Sequence, residues 1–113
     1  MNEYMLLLSG TTNEGANLSA EEQKAEMDKY LQWLQELQAK GILKAGSPLA
    51  STGKKIVNRN GIVSDGPFSE TKEAIGGYFI LAADHLEEAC SIAKTCPHVL
   101  QGGTIEVRPI AAI

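Results

Sequence analysis

The residues whose types and spacing could do chemistry crowd into one segment, Asp65-Gly66-Pro67-Phe68-Ser69-Glu70-Thr71-Lys72-Glu73, followed almost at once by Gly76-Gly77. An aspartate ahead of Gly-Pro at a strand end admits two readings. In the first, its carboxylate accepts backbone N–H bonds of the turn, while Pro67 steers Gly66 out of the helical region. In the second, a hairpin delivers Asp65 to the rim of an apolar cavity, where partial desolvation makes a carboxyl group usable as a general acid or base. Phe68 then lines the same pocket. Arg108 shares one side of the last strand with Glu106. It is either a solvated partner of the Glu70/Glu73 segment, worth about 0–1 kcal/mol, or a clamp for a substrate carboxylate, a task the planar guanidinium suits. Tyr30 is a further substrate-binding candidate, because a phenol hydroxyl needs a partner when buried.

Other chemistries find less support. Ser69 and Lys72 match S-x-x-K, but the companion Ser-Asp-Asn and Lys-Thr-Gly elements are missing and the match is chance. Cys90, Cys96 and His98 lack a fourth ligand and a zinc-type spacing, and Pro97 breaks the helix between them, so no metal site is expected. His85, in the first turn of its helix, reads as a surface residue. Gly10, Gly15 and Gly102-Gly103 form neither of the two phosphate-binding glycine patterns, so neither a nucleotide nor any other cofactor is expected.

The charge balance, 10 Lys and Arg against 14 Asp and Glu, gives −4, and the longest basic run is Lys54-Lys55. Nucleic-acid affinity rests on clustered cations and stacking aromatics. With only six Phe, Tyr and Trp residues in the chain, no nucleic-acid partner is expected. The N-terminal apolar run Met5–Leu8 follows Glu3 rather than a basic stretch and is too short for a leader or a membrane span. The expected location is the cytoplasm, with both cysteines as free thiols. Length and composition, 113 residues with 43% hydrophobic and 21% charged, suit one folded domain, residues 1–113.

The elements that must position these residues follow from patterning. Tyr4–Ser9 is a strand apolar on both faces. Ser19 and Glu22 make the S-x-x-E capping box of a helix reaching about Lys40, with Gly41 at C′. Its buried stripe is expected to be Met27, Tyr30, Leu31, Leu34 and Leu37, with Trp33 on the flank. Ile42–Leu49 reads as an edge strand interrupted by Gly46 and Pro48. Lys54–Arg59 and Ile62–Asp65 flank Asn60-Gly61, the signature of a type I′ hairpin. Ala74–Ala82 is a second strand apolar on both faces, with Gly76-Gly77 marking a close approach of backbone or ligand. Asp84 and Glu87 are expected to cap a second helix carrying Leu86, Ala89, Cys90 and Ala93 inward, with Pro97 as its stop. Thr104–Ile110 closes the chain as a strand apolar on one side.

Strand, helix, strand and hairpin, strand, helix, strand is the order of a ferredoxin-like split βαβ sandwich, an α+β fold, with a hairpin insertion. Two helices cover one face of such a sheet. The apolar residues on the other face call for a partner, and the expectation is a homodimer packed sheet to sheet.

The run Asn60-Gly61, Asp65-Gly66-Pro67-Phe68, Glu70-Thr71-Lys72-Glu73, Gly76-Gly77-Tyr78 and Glu106-Val107-Arg108-Pro109 resembles the DGPF branch of the YCII-related proteins, as do the N-terminal YMLLLSG and the passage Gly41–Leu49. The resemblance implies a dimeric α+β barrel. In the related YCII branch a helix histidine and an aspartate are the proposed acid/base pair. Tyr30 stands where that histidine would be, and neither His85 nor His98 matches the position, so that dyad is not carried over. Genes of the DGPF branch often lie beside alternative sigma factors. Two function classes therefore stand: a cofactor-free enzyme acting on a small organic molecule in an apolar barrel cavity, with Asp65 as acid/base, or a non-catalytic ligand-binding or regulatory module linked to such a factor.

Overall fold

Tyr4, Leu6 and Leu8 alternate with Met5 and Leu7 along the first strand, so both of its faces are apolar, and such a strand belongs in the middle of a sheet. The computed structural model, which describes residues 1–10, 19–50, 52–66 and 75–111, places it there. Strand β1 (Asn2–Ser9) is flanked by β5 (Gly77–Ala83) and β6 (Thr104–Pro109), and β2 (Leu43–Pro48) lies on the far side of β5, giving the antiparallel order β2-β5-β1-β6. The two strands apolar on both faces are the two central ones, as expected for the ferredoxin-like α+β fold. The register pairs Tyr4 with Leu81, Leu6 with Phe79 and Leu8 with Gly77 on one face, and Met5 with Ile80 and Leu7 with Tyr78 on the other.

The first of these faces is the core side. Helix α1 (Ala20–Ala39) lies against it, followed later in the chain by α2 (Leu86–Ala93) and the four-residue α3 (Pro97–Leu100). Leu6, Leu8, Trp33, Leu37, Leu81, Ala93 and Cys96 form one buried cluster, with Leu6, Leu81 and Cys96 fully enclosed. A second cluster joins Tyr4, Ala83 and Ala89. The Trp33 ring meets Phe79 edge-on at 5.4 Å between centroids. Its indole Nε1 donates to Thr95 Oγ1 at 2.9 Å, which satisfies the polar atom that a buried tryptophan brings with it.

Helix α1 starts and stops where its cap residues dictate. The Glu22 N–H donates to Ser19 Oγ at 3.1 Å and the Ser19 N–H to Glu22 Oε1 at 3.3 Å, a complete capping box. At the other end Ile42 N–H bonds the Leu37 carbonyl and Gly41 N–H the Gln38 carbonyl, both at 3.0 Å, with Gly41 at φ +72°. This is the 6→1, 5→2 pair of a Schellman motif, which needs a left-handed residue at C′. Asn60 (φ 55°) and Gly61 (φ 84°) supply the two positive φ angles of the turn joining β3 (Lys55–Arg59) to β4 (Ile62–Gly66). These strands form a separate two-stranded sheet with Ile56, Ile62 and Val63 exposed.

Four local expectations are corrected. The centre of the α1 stripe is Trp33 and Leu37, whereas Met27 and Leu31 are 57% and 49% exposed. The stripe is rotated toward Trp33, whose ring packs on Phe79 within the cluster that also holds Leu6 and Leu81. Helix α2 is capped by His85, whose Nδ1 accepts the Glu88 N–H at 3.1 Å; Asp84, one residue earlier, is outside the helix. Pro97 does not merely stop α2. It opens α3 at N1, where a missing N–H and a fixed φ cost nothing. Strand β5 begins at Gly77, and Ala74 lies outside the described residues.

Gly46 on β2 faces Phe79 across the sheet. A Cβ built there would overlap the Phe79 ring and come within 3.1 Å of the Tyr78 carbonyl oxygen. Gly46→Ala is therefore expected to cost about 1–3 kcal/mol by overpacking, read as a lower urea midpoint with an unchanged m-value.

Candidate functional site

The same register that builds the core leaves a gap at one end of the sheet. The C-terminal end of β1, the N-terminal end of β5 and the C-terminal end of β2 meet there, and two of the positions facing α1, Gly46 and Gly77, have no side chain. Gly76 continues the ladder just beyond β5: its N–H donates to the Leu8 carbonyl at 2.8 Å and its carbonyl accepts the Leu49 N–H at 2.9 Å. Above this end of the sheet passes the N-terminal half of α1. The result is a cleft of about 420 Å³, within the size range of small-molecule sites. Its walls are Leu8, Met27, Leu31, Leu34 and Phe79, with Gly46, Pro48, Gly76 and Gly77 at the sheet end. The exposure of Met27 and Leu31 has its explanation here, since they border the opening rather than the core.

The polar side chains on the cleft wall are Tyr30 and His98; Ser9, Ser47 and Tyr78 also border it, but they alternate with Leu8, Gly46 and Phe79, so their side chains belong to the opposite sheet face. Among the described residues that line the cleft, none is Asp, Glu, Lys or Arg. The Tyr30 hydroxyl bonds the Cys96 thiol, and the thiol also meets the backbone N–H groups of His98 and Val99; burial nevertheless outweighs these contacts and pushes the Cys96 thiol up. Cys96 is thus a protonated core residue, less reactive than an exposed thiol. His98, the second residue of α3, sets its Nε2 2.7 Å from the Ser9 carbonyl oxygen, which ties α3 to the end of β1. Gly103 makes this bond possible: a Cβ there would overlap the imidazole at Nε2.

The residues singled out in the sequence fall into three places. Tyr30 is on the cleft wall. Asp65 is on β4, opposite Ile56, largely exposed and 3.6 Å from the Lys54 ammonium, and does not line this chain's cleft. The hairpin that carries it is a sheet of its own, so nothing in the register brings Asp65 toward α1. Arg108 pairs with Met5 on the sheet face away from the helices, exposed, together with Glu106 beside Leu7; it too does not line the cleft. Phe68, with the rest of 67–74, lies outside the described residues, as do Glu70 and Glu73.

His98 is the cleft residue that sequence reasoning passed over. It is separated from its partner Ser9 by 89 positions, and no periodicity links a short helix after Pro97 to the end of the first strand. Of the glycine pair read as a close approach, Gly77 is met by the Ser47 carbonyl oxygen of β2, whereas a Cβ at Gly76 would meet nothing within 4 Å; both residues border the cleft. No group of three or more His, Cys, Asp or Glu side chains disposed to hold a metal ion occurs among the described residues. No helix among them is long and apolar enough to cross a membrane.

Fold and cleft together define a ferredoxin-like α+β protein with a one-sided helical cover and a small apolar pocket at the sheet end. The model of the YCII-related domain matches residues 3–113, and the chain belongs to that family. It is 41% identical over 51 residues to an uncharacterised protein of Rhizobium meliloti (strain 1021), a match covering 44% of this chain and 41% of that relative, so under half of its length is spanned. Among solved structures it is similar to the 5-chloro-2-hydroxyhydroquinone dehydrochlorinase of Burkholderia phenoliruptrix AC1100 in complex with 2,5-dihydroxybenzoquinone. There the TM-score is 0.59 at 15% identity, covering 100% of this chain and 96% of that one, a likeness of fold.

Proposed function

We propose that the cleft binds a small, flat organic molecule and that the protein works on it by proton transfer or hydrogen bonding within an apolar enclosure. The observation that carries this is the composition of the cavity: about 420 Å³ walled by aliphatic and aromatic side chains from α1, β1 and β5, with polar groups contributed by Tyr30 and His98. Such a pocket takes a ligand by burying its ring and orients it by one or two hydrogen bonds. Tyr30, already bonded to Cys96, is fixed in place and available as an orienting group. The bound 2,5-dihydroxybenzoquinone of the structural neighbour has the size and flatness that this pocket suits. The resemblance to the DGPF branch gives the fold a catalytic or a ligand-sensing role in equal measure, and the chemistry of the cleft serves either.

The second half of the proposal concerns assembly. Met5, Leu7, Tyr78 and Ile80 lie together on the sheet face that none of the described helices covers, and a contiguous exposed apolar face marks an interface. A second copy packed sheet to sheet completes the barrel. The exposed apolar residues of the β3–β4 hairpin supply further contact surface, because a lone two-stranded hairpin is marginal in water. Asp65, carried on that hairpin, acts as acid or base on a bound molecule only if this assembly brings it to the partner's cleft. Sedimentation equilibrium at micromolar concentration is expected to give twice the 12.1 kDa chain mass; a monomer mass would remove both the dimer and this role for Asp65.

The cleft itself is tested by filling it. In a thermal-shift screen of small aromatic hydroxyl compounds and quinones, ligands that bind the native chain raise its melting temperature by mass action. Leu34→Trp is expected to abolish those shifts while the variant stays folded. Shifts that survive the occluding side chain would place the ligand elsewhere.

A further inference from the structure

A carbonyl oxygen can only accept a hydrogen bond, so the 2.7 Å contact between His98 Nε2 and the Ser9 carbonyl requires the proton to sit on Nε2. In the neutral ring that leaves Nδ1 as an acceptor. Among the described residues Nδ1 has no hydrogen-bond partner. His98 is among the residues that line the cleft and its Nε2 edge is the one packed against Gly103, so Nδ1 is the ring nitrogen not already engaged. The lining described above carries no formal charge. Arg108, the cation that could have held a carboxylate, is on the opposite side of the sheet. Among the described residues an anionic ligand would thus find no counter-ion for the hydration it loses in an apolar space, which is costly, whereas a neutral ligand bearing a hydroxyl finds an acceptor.

From this we infer that His98 is the specificity-determining residue of the cleft, accepting a hydrogen bond at Nδ1 from the hydroxyl of a neutral phenol or enol, and that the cleft selects such molecules over carboxylates. The inference rests on the reading of the cleft as a ligand site and adds to it the class of ligand and the residue that recognises it. The Ser9 carbonyl and Gly103 are positioning elements: they hold the tautomer and the ring plane.

Three probes of one shape separate the possibilities: 4-methylphenol, its methyl ether, and 4-methylbenzoate, titrated calorimetrically into the wild-type protein and into His98→Gln. The glutamine amide nitrogen reaches the position of Nε2 and keeps the bond to Ser9, but offers nothing at Nδ1. The expected result is that wild type binds the phenol about three- to tenfold more tightly than the ether, the worth of one net hydrogen bond, and binds the benzoate most weakly. His98→Gln, with an unchanged urea midpoint, is expected to bind phenol and ether alike. Equal binding of phenol and ether by wild type overturns the role of His98 and leaves the cleft reading standing. Tightest binding of the benzoate overturns the selectivity for neutral ligands. Heat from none of the three probes removes the cleft reading and this inference with it. Should His98→Gln not fold, the comparison of phenol with ether on wild type decides the matter alone.

Discussion

The pairing of β1 with β5 is the constraint on which the rest of the molecule depends. Leu6 opposite Phe79 and Tyr4 opposite Leu81 put four large apolar side chains on one face of the two central strands, and Leu7 opposite Tyr78 and Met5 opposite Ile80 put four more on the other. A one-residue slip would exchange the two faces and strand Trp33 and Leu37 over the wrong side chains. With the register set, β6 and β2 have only the outer edges to occupy, and the helices only one face to cover. Leu6 and Leu81 are both fully buried beneath them, which by area alone is worth about 1.5–3 kcal/mol for each side chain.

The cleft is a consequence of the same pairing. Following the register from Tyr4 and Leu81 toward the end of the strands, the partners shrink: Leu6 meets Phe79, then Leu8 meets Gly77, and Phe79 meets Gly46. Helix α1 continues past the point where the sheet still offers side chains to fill the space beneath it. Trp33 and Leu37 sit over the filled part, while Met27, Leu31 and the edge of Tyr30 sit over the gap. A native core closes voids of this size with side chains; here glycines keep it open, and α3 contributes a histidine to its wall.

How much of this was legible in the residues varies with the range of the interaction concerned. Ser19 and Glu22, Gly41, and Asn60-Gly61 act over a few positions, and their cap and turn geometries were readable from spacing. The double-sided apolar character of Tyr4–Ser9 and of the strand around Tyr78–Leu81 was enough to place both in the centre of the sheet. The rotation of α1 was not legible, because periodicity marks an apolar stripe but not which of its residues takes the deepest position; Trp33 and Leu37 hold it. His85 displaced Asp84 as cap because one residue's shift in helix start exchanges the two, and both side chains can accept an N–H. His98 was invisible as a cleft residue, since its place depends on Ser9, on the room left by Gly103 and on the short helix that Pro97 opens. Asp65 stood out in the sequence for its motif, yet its hairpin is a sheet apart, and a motif carries no information about which surface it will face.

The central claim is that the chain's ligand site is the gap between α1 and the glycine-lined end of the sheet. Backbone amide chemical-shift mapping by two-dimensional ¹⁵N NMR during titration with 4-methylphenol tests it most directly. The account predicts saturable shifts concentrated at Gly46, Gly76, Phe79, Leu34 and His98. Shifts centred instead on the hairpin around Asp65, or on the Met5, Leu7 and Ile80 face of the sheet, would contradict it.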